Sequence, residues 1–384
     1  MGTSPAAGER GAYRDLDAAS AEPLHPAARE VLLSALDRGY ADPRRLHRSG
    51  RSARLLLDNA REVVAEALEL RPDEVSFTSS GTDAVHRGLL GLLRGARRHG
   101  QAVVLPAVEH SAVRHVLAWA GAEVREVGVD TLGRVDPDGM RSAAQAGPPA
   151  VVAAVQAANH EVGTVQPVED AAVALGIPLF MDACAAAGRM SLPGGWAAAA
   201  ASAHKWGGPP GVGLLLVRKG ARWRQPFPGD DRVDERVSGF ENVPGALAAA
   251  AALQAVVAEQ AETSARQHAL IALLRERIAA TVPDVEVVGD PEARLPHLVT
   301  FSCLYVDGEA LVTELDRHGF GVASGSACAA STLTPSHVLT AMGALTHGNV
   351  RLSLTRATTA DDVHAFLQVL PGVVAELRAR VGMA

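Results

Sequence analysis

Aromatic side chains are scarce in this chain of 384 residues: Phe, Trp and Tyr together make up 4% of it. No basic run is interleaved with them and the net charge is −7, so stacking platforms for single strands and a cationic footprint for a duplex are both missing. Nucleic acid is therefore not expected as a partner. Cysteine is equally sparse. Cys184, Cys303 and Cys328 form an odd set without metal-ligand spacing, which argues against a disulfide framework and against a metal site, and suits a reducing, cytoplasmic setting. Long apolar runs are lacking too: the Ala-rich stretches are too short or too interrupted to span a bilayer, so no membrane partner is expected. Residues 1–12 lack the apolar segment of a secretory signal and read as a disordered tail.

What remains is a soluble globular composition, 48% hydrophobic, long enough for two cores. Ala53 to Leu68 places apolar residues on one face at 3.6-residue spacing and predicts a helix. Strands are predicted at residues 74–78, 102–105, 151–155, 178–181 and 213–217. Short, nearly continuous apolar runs separated by helical patterns point to an α/β fold with a largely parallel sheet covered on both faces. From Val243 the composition shifts to an Ala-rich helix reaching about Gln260, then a second to Ala280. We place the domain boundary within this helical segment, giving a large domain at 13–250 and a smaller α+β domain at 251–384, against which the first residues could also pack. Strands are expected near 298–301 and 350–354. Thr359 with Asp362 signals the cap of a final helix that Pro371-Gly372 should break or kink.

The most informative residue is Lys205, in Ser202-Ala203-His204-Lys205-Trp206-Gly207-Gly208-Pro209-Pro210-Gly211, just ahead of a buried strand. Glycines crowded beside a lysine mark close backbone approach, and the neighbouring Ser and His offer phosphate ligands. This context suits a Schiff-base lysine holding pyridoxal phosphate. In parallel α/β sheets, ligands bind beyond the carboxyl ends of the strands, where further candidates fall. Gly81 and Thr82 open a helix and could cradle an anion, although Ser/Thr caps are common without one. His110 could stack on a planar cofactor and shuttle protons, although a lone histidine is more often structural. Asp182 could pair with a pyridine nitrogen, although a strand-end Asp is usually a cap.

In order and spacing these residues resemble the cysteine desulfurase family, in the class-V aminotransferase branch of fold type I pyridoxal-phosphate enzymes. The resemblance extends from Tyr13 to about Leu370. Its most diagnostic stretches are Ser202-Ala203-His204-Lys205, Glu161-Val162-Gly163-Thr164-Val165-Gln166-Pro167 and Ala323-Ser324-Gly325-Ser326-Ala327-Cys328. It implies a mostly parallel seven-stranded sheet in the large domain and a homodimer. It makes Lys205 the cofactor lysine, His110 the ring-stacking proton shuttle and Asp182 the pyridinium partner. Gly81, Thr82, Ser202 and His204 would hold the phosphate, and Arg351 would clamp the substrate carboxylate with its planar fork.

Cys328 lies among Gly, Ser and Ala, which predicts a flexible loop; family members with this longer loop use it to carry a persulfide. An unperturbed thiol is only a few per cent thiolate at neutral pH, so the site must promote deprotonation, with His110 a candidate base. Cys184 and Cys303 adjoin apolar strands and read as small core fillers. Three departures from the family pattern stand out. His160 occupies the place of an Asn near the cofactor's phenolic oxygen, with Asn159 before it as an alternative contact to cofactor and substrate. Ala185 stands for a Gln, and Phe240 for a Thr expected to reach a neighbouring subunit's phosphate. The resemblance thus implies desulfuration of L-cysteine to L-alanine, with sulfur passed through Cys328 to an acceptor protein or small molecule. Two alternatives stay open: a selenocysteine lyase or C–S lyase of a specialised pathway, and a non-catalytic partner protein of the same fold.

Overall fold

The computed structural model describes residues 13–38, 40–324 and 335–383. Its first part runs α1 (Pro26–Asp37), α2 (Arg48–Ala67), β2 (Val75–Thr78), α3 (Gly81–Ala96), β3 (Ala102–Pro106), α4 (Ser111–Trp119), β4 (Glu123–Val127), α5 (Pro137–Gln145), β5 (Val152–Gln156), α6 (Val168–Leu175), β6 (Leu179–Asp182), β7 (Ala198–Ser202), β8 (Gly213–Val217) and α7 (Val243–Ala258), preceded by β1 (Arg14–Asp15). Seven of these strands form one sheet in the order β2-β8-β7-β6-β5-β3-β4. Only β8 runs against its neighbours; the other pairings are parallel, as expected.

Alternation along the strands divides the core. In β8, Leu214 and Leu216 face Leu57 and Val64 of α2 and the alanines of α7, while Leu215 and Val217 face Val85 and Leu89 of α3 and Val113 of α4. The sequence signal was weakest at two strands. β7 is Ala198-Ala199-Ala200-Ala201-Ser202, without the branched or aromatic residues that mark strands, and was not predicted. Its small side chains have a packing reason, because α3 lies directly on the sheet. A Cβ added at Gly88 of α3 would sit 2.5 Å from the buried Phe180 ring. β4 escaped notice because it is a charged edge strand, Glu-Val-Arg-Glu-Val, with half-exposed side chains.

The second part comprises α8 (Gln260–Thr281), β9 (Val285–Val288), β10 (Leu298–Cys303), α9 (Gly308–Arg317), β11 (Phe320–Gly321), α10 (His337–Met342), β12 (Asn349–Ser353) and α11 (Ala360–Arg380). An antiparallel sheet in the order β12-β10-β9 carries a separate core with α8, α9 and α11. The N-terminal segment belongs to this core: β1 pairs with β11 and Leu16 is buried there. Thr359 and Asp362 form the expected capping box. Pro371 does not break α11, which runs on to Arg380. One lost backbone bond is outweighed where Phe366, Leu370, Val373, Val374 and Leu377 are all buried on one side of the helix. Among the described residues no single helix is long and apolar enough to cross a membrane.

The close approach of α3 to the sheet generates a test. Gly88→Ala should lower unfolding stability by roughly 1–3 kcal/mol, since the Phe180 ring has no room to retreat; urea denaturation measures it.

Candidate active site

Five strand ends deliver the site. After β2, Ser80 caps α3 by accepting the Asp83 N–H, so the helix starts at Gly81 and Thr82 with its amides toward the sheet edge. Only glycine fits at 81, because a Cβ there would lie 2.7 Å from Ser202 Cβ and 3.0 Å from Cys184 Sγ. After β3, His110 caps α4, its Nδ1 accepting the Ala112 N–H at 3.1 Å. The turn after β5 supplies His160, the end of β6 Asp182, and the end of β7 Ser202 with the helical turn Ala203–Lys205. Arg351 arrives from β12 and Ser20 from the N-terminal segment. Together they enclose a cavity of about 210 Å³.

Charge and hydrogen bonding in the cavity are unevenly distributed. Lys205 Nζ donates to the carbonyls of Ala19 and, at 3.0 Å, Ser20. Ser202 Oγ lies 3.0 Å from His204 Nδ1. Asp182 accepts the Cys184 N–H at 2.9 Å through one oxygen. The His110 and His160 rings meet edge to face, with centroids 4.8 Å apart. Burial holds both imidazoles below their ordinary pKa, so they are neutral near neutral pH. Because His110 Nδ1 already accepts a backbone N–H, its proton resides on Nε2. Both His160 ring nitrogens are buried without a hydrogen-bond partner among the described residues. The Glu161 carboxylate lies beside the ring, its Oε1 3.6 Å from Nε2, beyond hydrogen-bond distance.

The class-V aminotransferase family profile matches residues 14–366. An IscS-like cysteine desulfurase of Mycobacterium tuberculosis is 37% identical over 94% of this chain and 96% of its own length. The cysteine desulfurase IscS of Dictyoglomus turgidum is 32% identical over 94% and 95%. The chain belongs to the cysteine desulfurase family. A solved NifS-like protein superimposes with a TM-score of 0.87 at 27% identity, covering 95% of this chain and 100% of that one.

Within that family frame, the cavity brings together Gly81, Thr82, His110, His160, Asp182, Ser202, His204, Lys205 and Arg351, all of which the sequence had singled out. Asn159 is the exception. It does not line the cavity: its Oδ1 accepts the N–H groups of Glu161 and Val162 and its Nδ2 donates to Val108 O, so the amide is spent on the backbone turn. Cys184 also departs from expectation, since its thiol lines the cavity; Cys303 is core filling, as expected. Cys184 stands two residues beyond Asp182 at a strand end, a position that could have flagged it. Gln156, Ala158 and Ser20 line the cavity and were missed. Phe240 lies in a separate recess, with the Arg232 guanidinium 5.3 Å from its ring centre. Cys328 lies outside the described residues.

Two buried carboxyls stand behind the histidines. Burial pushes Glu109 up to about 8, opposed by the Gln156 N–H on Oε1 and reinforced by Asp182, while Oε2 has no partner among the described residues. Burial likewise raises Glu161 to about 7, against the Ser336 hydroxyl on Oε2. A folded-state pKa raised above the unfolded value means the folded chain holds a proton that the unfolded chain releases. Stability from Glu109 is therefore lost as pH rises from about 4.5 toward about 8. Glu109→Gln should show a stability advantage over the parent that is larger at about pH 8.5 than at about pH 5. Thermal midpoints at the two pH values check it.

Proposed function

We infer that the chain is a pyridoxal-phosphate-dependent cysteine desulfurase, converting L-cysteine to L-alanine and passing the sulfur to Cys328. The observation that carries this reading is the convergence in one cavity of a lysine, a strand-end aspartate, a helix N-terminus with Ser202 beside it, and a buried arginine. The donor set suits the cofactor's chemistry. Gly81, Thr82, Ser202 and His204 would hold its phosphate, Asp182 its ring nitrogen and Lys205 its aldehyde carbon, while a neutral His160 has a ring N–H to offer the phenolic oxygen. When bound, pyridoxal phosphate supplies an electron sink beside the substrate.

The chain's own residues do the rest. Arg351 binds the substrate carboxylate and sets its orientation. His110 presents the Nε2 proton to the cavity, so its first role there is to donate; accepting a proton at Nδ1 would sacrifice the cap of α4. The Cys328 thiol takes the substrate's sulfur: one S–S bond forms, the substrate's C–S bond breaks, and the displaced carbon takes up a proton to become alanine's methyl group. Both ends of the segment carrying Cys328 are tied to the site. Ala323 pairs with Arg351, and Ser336 donates to Glu161. Cys328 is five positions from Ala323, a reach of at most ~17 Å, enough for a thiol to enter the cavity. A homodimer in a cytoplasmic setting, handing sulfur to a protein or small-molecule acceptor, completes the proposal.

Sulfide release from L-cysteine under reductant tests it. Lys205→Ala should fall below about a thousandth of the parent rate, and borohydride reduction of the parent should leave a pyridoxyl label on Lys205 alone. Cys328→Ser should still bind L-cysteine but release no sulfide. Undiminished release from Cys328→Ser would replace sulfur transfer with a lyase reaction.

A further inference from the structure

The turn that carries Lys205 is stapled to the N-terminal segment through both its side chain and its backbone. The side chain donates to the carbonyls of Ala19 and Ser20. The backbone is held by the next residues of that segment: the N–H of Glu22 donates to the carbonyl of His204 at 2.9 Å, and the N–H of His25 to that of Gly207 at 2.8 Å. The carbonyl of Lys205 itself accepts from a side chain, Arg189 Nη2, at 3.0 Å, and the same nitrogen donates to Glu22 Oε2 at 2.9 Å. Arg189 reaches this point from the turn after β6. The Arg189 and Glu22 side chains are 10% and 4% exposed. Burial works against the Arg189 charge, and the Glu22 carboxylate opposes that effect. The other Glu22 oxygen accepts the N–H of Arg356, beyond β12, at 2.9 Å.

A buried ion pair adds little net stability, because desolvation of two charges offsets their attraction. What this pair supplies is direction. A carbonyl bonded to a fixed planar guanidinium has little freedom to tilt, and tilting the Lys205 peptide would swing a long side chain through the cavity. We propose that Arg189 is a positioning residue: paired with Glu22, it fixes the Lys205 peptide so that Nζ meets the cofactor's aldehyde carbon. Arg189 does not line the cavity, so it acts through Lys205. This deepens the reading of Lys205 as the cofactor lysine and rests on it. The other role open to the pair is structural, clamping the N-terminal segment and Arg356 against the larger sheet with no effect on where Lys205 points.

Arg189→Met alone would leave Glu22 buried and unpaired, so the variant to test combines it with Glu22→Gln, which removes both charges together. The full chain, freed of cofactor, is mixed with pyridoxal phosphate or with pyridoxamine phosphate. Only the first reacts: Nζ bonds to the aldehyde carbon, and the aldehyde oxygen leaves with two protons from nitrogen as water. Borohydride quenching at timed intervals, with mass spectrometry of the Lys205 peptide, gives the capture rate; calorimetry gives the affinity for the unreactive amine. Capture should be at least about tenfold slower in the double variant, while pyridoxamine phosphate affinity changes by less than about threefold. Capture within about threefold of the parent rate overturns the proposal, and so does a matching loss of pyridoxamine phosphate affinity, which reports a structural role. A label on a lysine other than Lys205 in the parent overturns the cofactor-lysine reading instead, so the two can fail separately.

Discussion

A buried guanidinium is the constraint around which the two cores are joined. Arg351 is 5% exposed, and a cation at that depth needs acceptors, which Nη1 and Nη2 find while Nε has none among the described residues. Those acceptors come from two stretches far apart in sequence: Asp17 and Ser20 in the N-terminal segment, and the carbonyl of His160 after β5 of the seven-stranded sheet. The arginine's own backbone pairs with Thr300 on one side and Ala323 on the other. The side chain of this one residue thus ties the smaller sheet and the N-terminal segment to the rim of the larger sheet, while its backbone holds Ala323. That explains why the first residues pack with the last third of the chain.

The opposite wall of the cavity is set by packing. Gly81 lets the start of α3 come against Ser202 and Cys184, and the alanines of β7 with Gly88 let the rest of the helix lie flat on the sheet. The result is an anion-attracting helix end facing a hydroxyl and an imidazole across a small space. Between these walls stand two neutral imidazoles backed by two buried carboxyls with raised pKa values. Burial thus holds Glu109 mostly protonated near neutral pH and leaves Glu161 only partly ionised, which lowers the negative charge behind the histidines.

Much of this was legible in the sequence. Residues whose roles depend on local backbone, such as Gly81 at a helix start, Asp182 at a strand end and Lys205 in its glycine-rich stretch, announce themselves through neighbours a few positions away. Most strands with branched side chains were legible for the same reason, although Val285–Val288, lying between Pro283 and Gly289, was not. Residues whose roles depend on contacts across the fold were not. Asn159 looks like a ligand donor in sequence, yet its amide is consumed by the turn it sits in. Cys184 looks like core filling, yet the glycine at 81 opens the space that exposes it to the cavity. Asp17 is one of three acidic residues between Arg14 and Glu22, and nothing local says that its carboxylate meets the Arg351 guanidinium.

The account's central claim is that this cavity removes sulfur from L-cysteine and places it on Cys328. Mass spectrometry of the peptide containing Cys328, after brief incubation of the holoenzyme with L-cysteine and quenching without reductant, tests that claim directly. The account predicts one added sulfur atom on Cys328, absent from the Lys205→Ala variant. An unmodified Cys328 peptide from a protein that nonetheless produces alanine would contradict it.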